Sequence, residues 1–132
     1  MAKILRDLWI LTDTGLTVYN RVIDSKIGAQ IFGGLMVALN TYAETLTEGG
    51  LSNFELSSIR FSILKKNHFL FVTNTSNKFK DKKVLNELKK VSKKFFEVYD
   101  DKVLKNFSHN IRIFTDFEKY IIDSLEEPQF EI

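Results

Sequence analysis

Between Gly28 and Leu39 the sequence carries one clearly polar residue, Gln30, inside a run from Ile27 to Leu46 that reads as a single helix. A helix covering one face of a small sheet ordinarily keeps a polar side for water, so something besides its own sheet is expected to cover this one. Ile27, Ile31, Leu35, Leu39, Tyr42 and Leu46 recur at helical spacing and are expected to face the sheet, with Phe32, Met36 and Ala43 beside them. Gly33 and Gly34 fall mid-run, where each costs up to about 1 kcal/mol relative to Ala. Close approach of a packed neighbour is the usual compensation. This reading leaves Gly33, Gly34, Val37, Ala38 and Thr41 as a smooth, small-residue outer side and the candidate partner interface. Asp24 and Ser25 are candidate N-caps, and Gly49 with Gly50 is the candidate C-cap.

The flanking segments read as strands. Ile4 to Leu11 and Leu16 to Ile23 are joined by Thr12-Asp13-Thr14-Gly15, a hairpin signal with Gly15 expected at positive φ. Further on, Phe54 and Leu56 are even while Ile59, Phe61 and Ile63 are odd, so the apolar phase flips at Ser57-Ser58. A flip of facing parity requires a break there. The expectation is a third strand near 53–57, a fourth near 58–65, a turn at Lys65 to His68, and a fifth strand from Phe69 to Thr75. Asp81 can cap a long helix in which Val84, Leu88, Val91, Phe95 and Val98 form the clearest apolar stripe of the chain. Thr115 with Glu118 reads as a capping box for a short last helix marked by Phe117, Ile121 and Leu125.

With 132 residues, 44% of them hydrophobic and twelve of them Phe, the chain suits one domain with a substantial core. The expected domain spans residues 1–125, followed by an acidic tail, 126–132. The absence of Cys excludes a disulfide framework and thiolate chemistry, and suits a reducing compartment. No secretory leader pattern is present and no apolar run approaches twenty residues, so a cytoplasmic chain is expected.

The net charge of +2 hides a polarised chain. Eight Lys (78, 80, 82, 83, 89, 90, 93 and 94) stand against Asp81 and Glu87, whereas six acids stand against Lys119 from Asp116 onward. With the apolar stripe of the second helix facing the sheet, Lys82, Lys83, Lys89, Lys90, Lys93 and Lys94 fall on its flanks and outer face. They are candidates for peripheral contact with anionic lipid headgroups. Nucleic acid fits less well, because the basic run lacks Arg and interleaved aromatics.

Catalytic signatures are missing. His68 and His109 have no second His or Cys to complete a metal set, and both are expected in solvated loops. Gly33-Gly34 lacks the spacing and following Lys of a phosphate loop. Asp100-Asp101 and Glu126-Glu127 are adjacent, so they point apart on any regular element. Neither catalytic residues, metal ligands nor a cofactor are expected, and lone Trp9 is expected in the core or on the sheet face.

The order strand, strand, helix, three strands, two helices implies an α+β domain: a five-stranded antiparallel sheet with one helix on one face and two C-terminal helices on the other. Trp9 to Leu16 as a first hairpin, Asn53 to Leu56, Ile59 to Leu64, Phe69 to Thr73 and the helix from Asp81 resemble a longin domain, the profilin-like fold of trafficking proteins. The stretch from Asn53 to Tyr99 is similar in layout to the small sigma subunits of clathrin adaptors. A roadblock domain, the related fold, usually carries a helix before its first hairpin, whereas here the first strand starts within a few residues of Met1. No coiled-coil SNARE segment follows the domain pattern. The resemblance implies a non-enzymatic, free-standing interaction subunit in small-GTPase regulation or vesicle traffic. Its expected partners are a second copy or a related longin or roadblock subunit, a small GTPase, and an anionic membrane surface. The rival expectations are a basic adaptor that binds nucleic acid through the lysine-rich helix, and a profilin-like actin binder.

Overall fold

A computed structural model describes residues 3–22, 28–48, 50, 52–56, 58–107 and 110–126. Five strands, β1 (Asp7–Thr12), β2 (Thr17–Arg21), β3 (Asn53–Leu56), β4 (Ile59–Lys66) and β5 (Phe69–Ser76), form one sheet in the order β2-β1-β5-β4-β3, every neighbouring pair antiparallel. The helices are α1 (Ala29–Leu46), α2 (Asp81–Val98), α3 (Asp101–Asn106) and α4 (Glu118–Ile121). Two 3₁₀ segments, Ile111–Phe117 and Ile122–Ser124, flank α4.

Central strands β1 and β5 are buried on both faces, which is why they read as near-continuous apolar runs. Leu8, Ile10, Phe69 and Phe71 point to the α2 side, where Val84, Leu88, Val91 and Phe95 meet Phe114, Phe117, Ile121 and Leu125. Phe95 is the hub of this layer, with Phe71, Phe114 and Phe117 at 5.6, 5.7 and 5.3 Å between ring centroids. Trp9, Leu11, Ile63, Leu70 and Val72 point to the other face, covered by Phe32 and Met36 of α1. One helix on one face and the C-terminal helices on the other is the arrangement expected from the sequence.

The β1–β2 and β4–β5 turns follow from local chemistry. Gly15 has φ of +100°, and the Leu16 N–H donates to Thr12 Oγ1 at 3.1 Å. Asn67 and His68, with φ of +49° and +67°, occupy the two left-handed positions of the β4–β5 turn, where the twist of the flanking strands favours such a turn. Leu56 pairs with Ile59 and Phe54 with Phe61, so the parity flip marks the change of strand between β3 and β4.

Several expected boundaries are corrected. Asp81 is not the N-cap of α2; Lys80 holds that position without a side-chain cap, and Asp81 sits in the first turn. Helix α1 ends with extended Thr47, whose N–H donates to the Ala43 carbonyl, rather than at the glycines. Gly50, with φ of +65°, acts three residues later, where the chain folds back toward Asn40, Glu44 and Lys65. Thr115 caps nothing, because Asn110 has already started that segment by accepting the Arg112 N–H at 3.3 Å. Helix α3 went unexpected, although its N-cap Asp100 accepts the Val103 N–H at 2.9 Å. Asp24, Ser25, Ile27, Gly49, Ser57, His109 and tail residues 127–132 lie outside the described residues. Glu126, the last described residue, donates its N–H to the Leu5 carbonyl.

Candidate interaction surface

Helix α1 is rotated from the expected orientation, with Phe32 and Met36 rather than the long aliphatic stripe at the centre of its buried side. Ile31, Leu35, Leu39, Tyr42 and Leu46 are 39 to 71% exposed, while Phe32, Gly33 and Met36 are buried. Two contacts set this phase. Phe32 stacks on Trp9 with ring centroids 4.0 Å apart, and Gly33 lies against the backbone of Gly15. A helix apolar on every side takes the rotation that its best-fitting partners choose, and a flat stack plus a Cβ-free approach outweighed the longer aliphatic stripe.

The five small residues expected on the outer side therefore divide. Gly34, Ala38 and Thr41 are exposed, Val37 is half-buried against the Trp9 layer, and Gly33 is buried. Gly33 cannot meet a partner, because the β1–β2 turn already fills the space its missing side chain leaves. What α1 presents to solvent is Ile31, Leu35, Leu39, Tyr42 and Leu46 with the smaller Gly34, Ala38, Thr41 and Thr45 between them, an arc without a formal charge. Glu44, the one acid or base in α1, lies 3.8 Å from Lys65 at the flank.

Apolar surface continues from α1 to the sheet edge. Phe61 lies 6.1 Å from Trp9 and 6.2 Å from Phe32, and Phe54 stacks on Phe61 at 4.7 Å with their planes 3° apart. Both phenylalanines are half-buried. Phe54 belongs to β3, the edge strand, whose strand neighbour among the described residues is β4 alone. The parity flip that revealed the turn also carried the signal that Phe54 and Phe61 share a face.

The six candidate lysines are sorted by their neighbours. Lys90 is 3.0 Å from buried Glu87, Lys94 is 3.5 Å from Glu97, and Lys83 lies over the Phe79 ring. Lys82, Lys89 and Lys93 are exposed, with no carboxylate within 4 Å among the described residues. His68 is exposed, as expected, and sits 3.2 Å from Asp13 across the two hairpin turns. These turns and Val37, Asn40, Thr41 and Glu44 of α1 border an open cleft of about 600 Å³.

No protein-family model matches the sequence, and no curated protein is detectably similar to it. Solved structures are similar in architecture. MglB of Myxococcus xanthus superimposes with a TM-score of 0.58 at 14% identity, over 71% of this chain and 82% of that one. A Roadblock/LC7 domain from Streptomyces avermitilis aligns with a TM-score of 0.44 at 15% identity, over 55% of this chain and 67% of that one. With its sheet order and the placement of its helices, the chain has a fold of the longin and roadblock type.

Proposed function

We propose that this chain is a non-enzymatic interaction subunit that associates with a second copy of itself through the exposed face of α1 and serves small-GTPase regulation or membrane traffic. The observation that carries the self-association is the charge-free arc of Ile31, Leu35, Leu39, Tyr42 and Leu46. An isologous two-fold contact sets a surface against itself, so any charge near its axis would face a like charge. A neutral, apolar arc meets that condition, and from Ile31 to Leu46 it runs about 22 Å along the helix. The half-buried Phe54–Phe61 stack extends the apolar surface toward β3. The GTPase context rests on the fold resemblance.

Light scattering across a concentration series tests the contact. Wild type is expected at twice the 15.3 kDa chain mass, and Leu35→Glu or Ala38→Glu is expected to give the monomer with its helical circular dichroism intact. A wild-type protein that stays monomeric at about 100 µM overturns the self-association. Titration of the dimer with small GTPases in their GDP and GTP forms then tests the regulatory reading; indifference to every one of them removes it.

A further inference from the structure

The outer side of α2 carries a feature that the α1 contact does not use. Lys82, Lys89 and Lys93 lie within about 40° of one another around the helix and span about 16 Å along it, forming a row on its solvent side. The residues that would neutralise them are engaged elsewhere: Glu87 with Lys90, Glu97 with Lys94, and Asp81 with Arg60. Beside the row, Lys90, Lys93, Lys94 and Glu97 line a shallow trough of about 220 Å³ with Tyr120 and Ser124. Tyr120 is among the exposed large hydrophobic residues, at 44%. The surface thus combines unneutralised ammonium groups with an amphipathic ring.

We propose that this face of α2, with Tyr120 at its margin, docks on an anionic lipid surface. Ammonium groups on flexible stems suit a fluid array of headgroups, for which no fixed bidentate geometry is needed. A tyrosine with a wet hydroxyl and an apolar ring suits the headgroup level. A nucleic acid strand fits the surface less well. Among the described residues the row holds no Arg, and Lys119 lies 5.1 Å from the Tyr120 centroid, occupying a ring face on which a base would stack.

Sedimentation with vesicles of pure phosphatidylcholine, and with vesicles containing phosphatidylserine at about a third of the lipid, tests the proposal at low salt. Retention is expected on the anionic vesicles only, with loss at about 0.5 M salt. Each Lys→Gln substitution at 82, 89 or 93 is expected to weaken partitioning about five-fold, and the triple variant about a hundred-fold. The control pair Lys102→Gln and Lys105→Gln, on α3 and outside the row, is expected to change it less than two-fold. Circular dichroism of each variant establishes that it is folded, and the single substitutions stand if the triple variant is not. The proposal is overturned by failure of anionic vesicles to retain the wild type, by equal retention on neutral vesicles, by an undiminished triple variant, or by binding to single-stranded DNA in preference to vesicles.

Discussion

Gly33, in the middle of α1, lies so close to Gly15 in the β1–β2 turn that a Cβ on Gly33 would collide with the Gly15 carbonyl oxygen and stand 2.8 Å from Thr17 Oγ1. Backbone, which cannot swing aside, forms one wall of this contact. Next to it, Gln30 clamps the same strand, accepting the Thr17 N–H at 2.9 Å and donating to the Thr17 carbonyl at 3.0 Å.

The two adjacent glycines should therefore respond in opposite directions. Gly33→Ala is expected to destabilise by about 1 to 3 kcal/mol, because the overpacking exceeds the gain in helix propensity. Gly34→Ala, whose Cβ would meet nothing within 4 Å, is expected to stabilise by up to about 1 kcal/mol. Urea denaturation of both variants at one concentration measures the difference. Equal shifts would show that the glycines act through helix propensity alone.

A buried polar pair joins β1 to β5 on the α1 side of the sheet. The Asp7 N–H donates to Asn74 Oδ1 and Asn74 Nδ2 donates to Asp7 Oδ2, each at 2.9 Å, while Thr73 Oγ1 donates to the Asp7 carbonyl at 2.7 Å. Asn74→Ala removes an acceptor and a donor at once beneath a surface that water reaches poorly. It is expected to cost about 2 to 4 kcal/mol, read from the denaturation midpoint. A loss below about 0.5 kcal/mol would mean that solvent replaces both bonds.

The sheet and α2 were legible because each carries its own contrast, although β1 starts at Asp7 and not at Ile4. In α2, Val84, Leu88, Val91 and Phe95 alternate with lysines, so polarity marks the solvent side and fixes the rotation. The phase flip between Leu56 and Ile59 located the β3–β4 turn. In α1 no such mark exists, since the nine successive residues from Ile31 to Leu39 are apolar or small, and periodicity finds a stripe without saying which side it faces. Its rotation is decided by Phe32 on Trp9 and Gly33 on Gly15, contacts between segments distant in sequence. Of the small residues expected on the solvent side, Gly34, Ala38 and Thr41 are exposed while Gly33 and Val37 turn inward, and the large side chains from Ile31 to Leu46 stand beside the exposed three.

Alkaline pH should weaken the C-terminal layer. Burial first, and then the neighbouring Glu118 carboxylate, push the Tyr19 phenol well above its ordinary value of 10.0; its hydroxyl donates to Glu118 Oε1 at 3.3 Å. The folded state holds this proton more tightly than the unfolded chain, so the contribution is complete below pH 10.0 and is lost as pH rises from there toward the folded value. Burial raises Tyr99 in the same direction, followed by Tyr120 and Asp116. Thermal melts between pH 8 and pH 11 should therefore show a falling midpoint above about pH 10, shallower in Tyr19→Phe and not flat, because Tyr99 remains. Parallel curves for the two proteins would assign the loss elsewhere.

Arg60 ties the edge of the sheet to the start of α2. Its Nε is 3.1 Å from Glu55 Oε1 on β3, and its Nη1 is 3.0 Å from Asp81 Oδ1 and donates to the Phe79 carbonyl at 2.7 Å. The carboxylates are 47% and 61% exposed, so water discounts the ion pairs, while the half-buried guanidinium and its carbonyl bond carry more of the effect. Arg60→Ala is expected to cost about 1 to 2 kcal/mol. Arg60→Lys should recover less than half of that, since a point-like ammonium cannot serve three acceptors spread around a planar fork. Because Lys80 leaves α2 without a side-chain cap, the loss should concentrate there. Faster hydrogen exchange at the Val84 and Leu85 amides in both variants is the expected signature, and unchanged exchange there would show that Arg60 holds β3 alone.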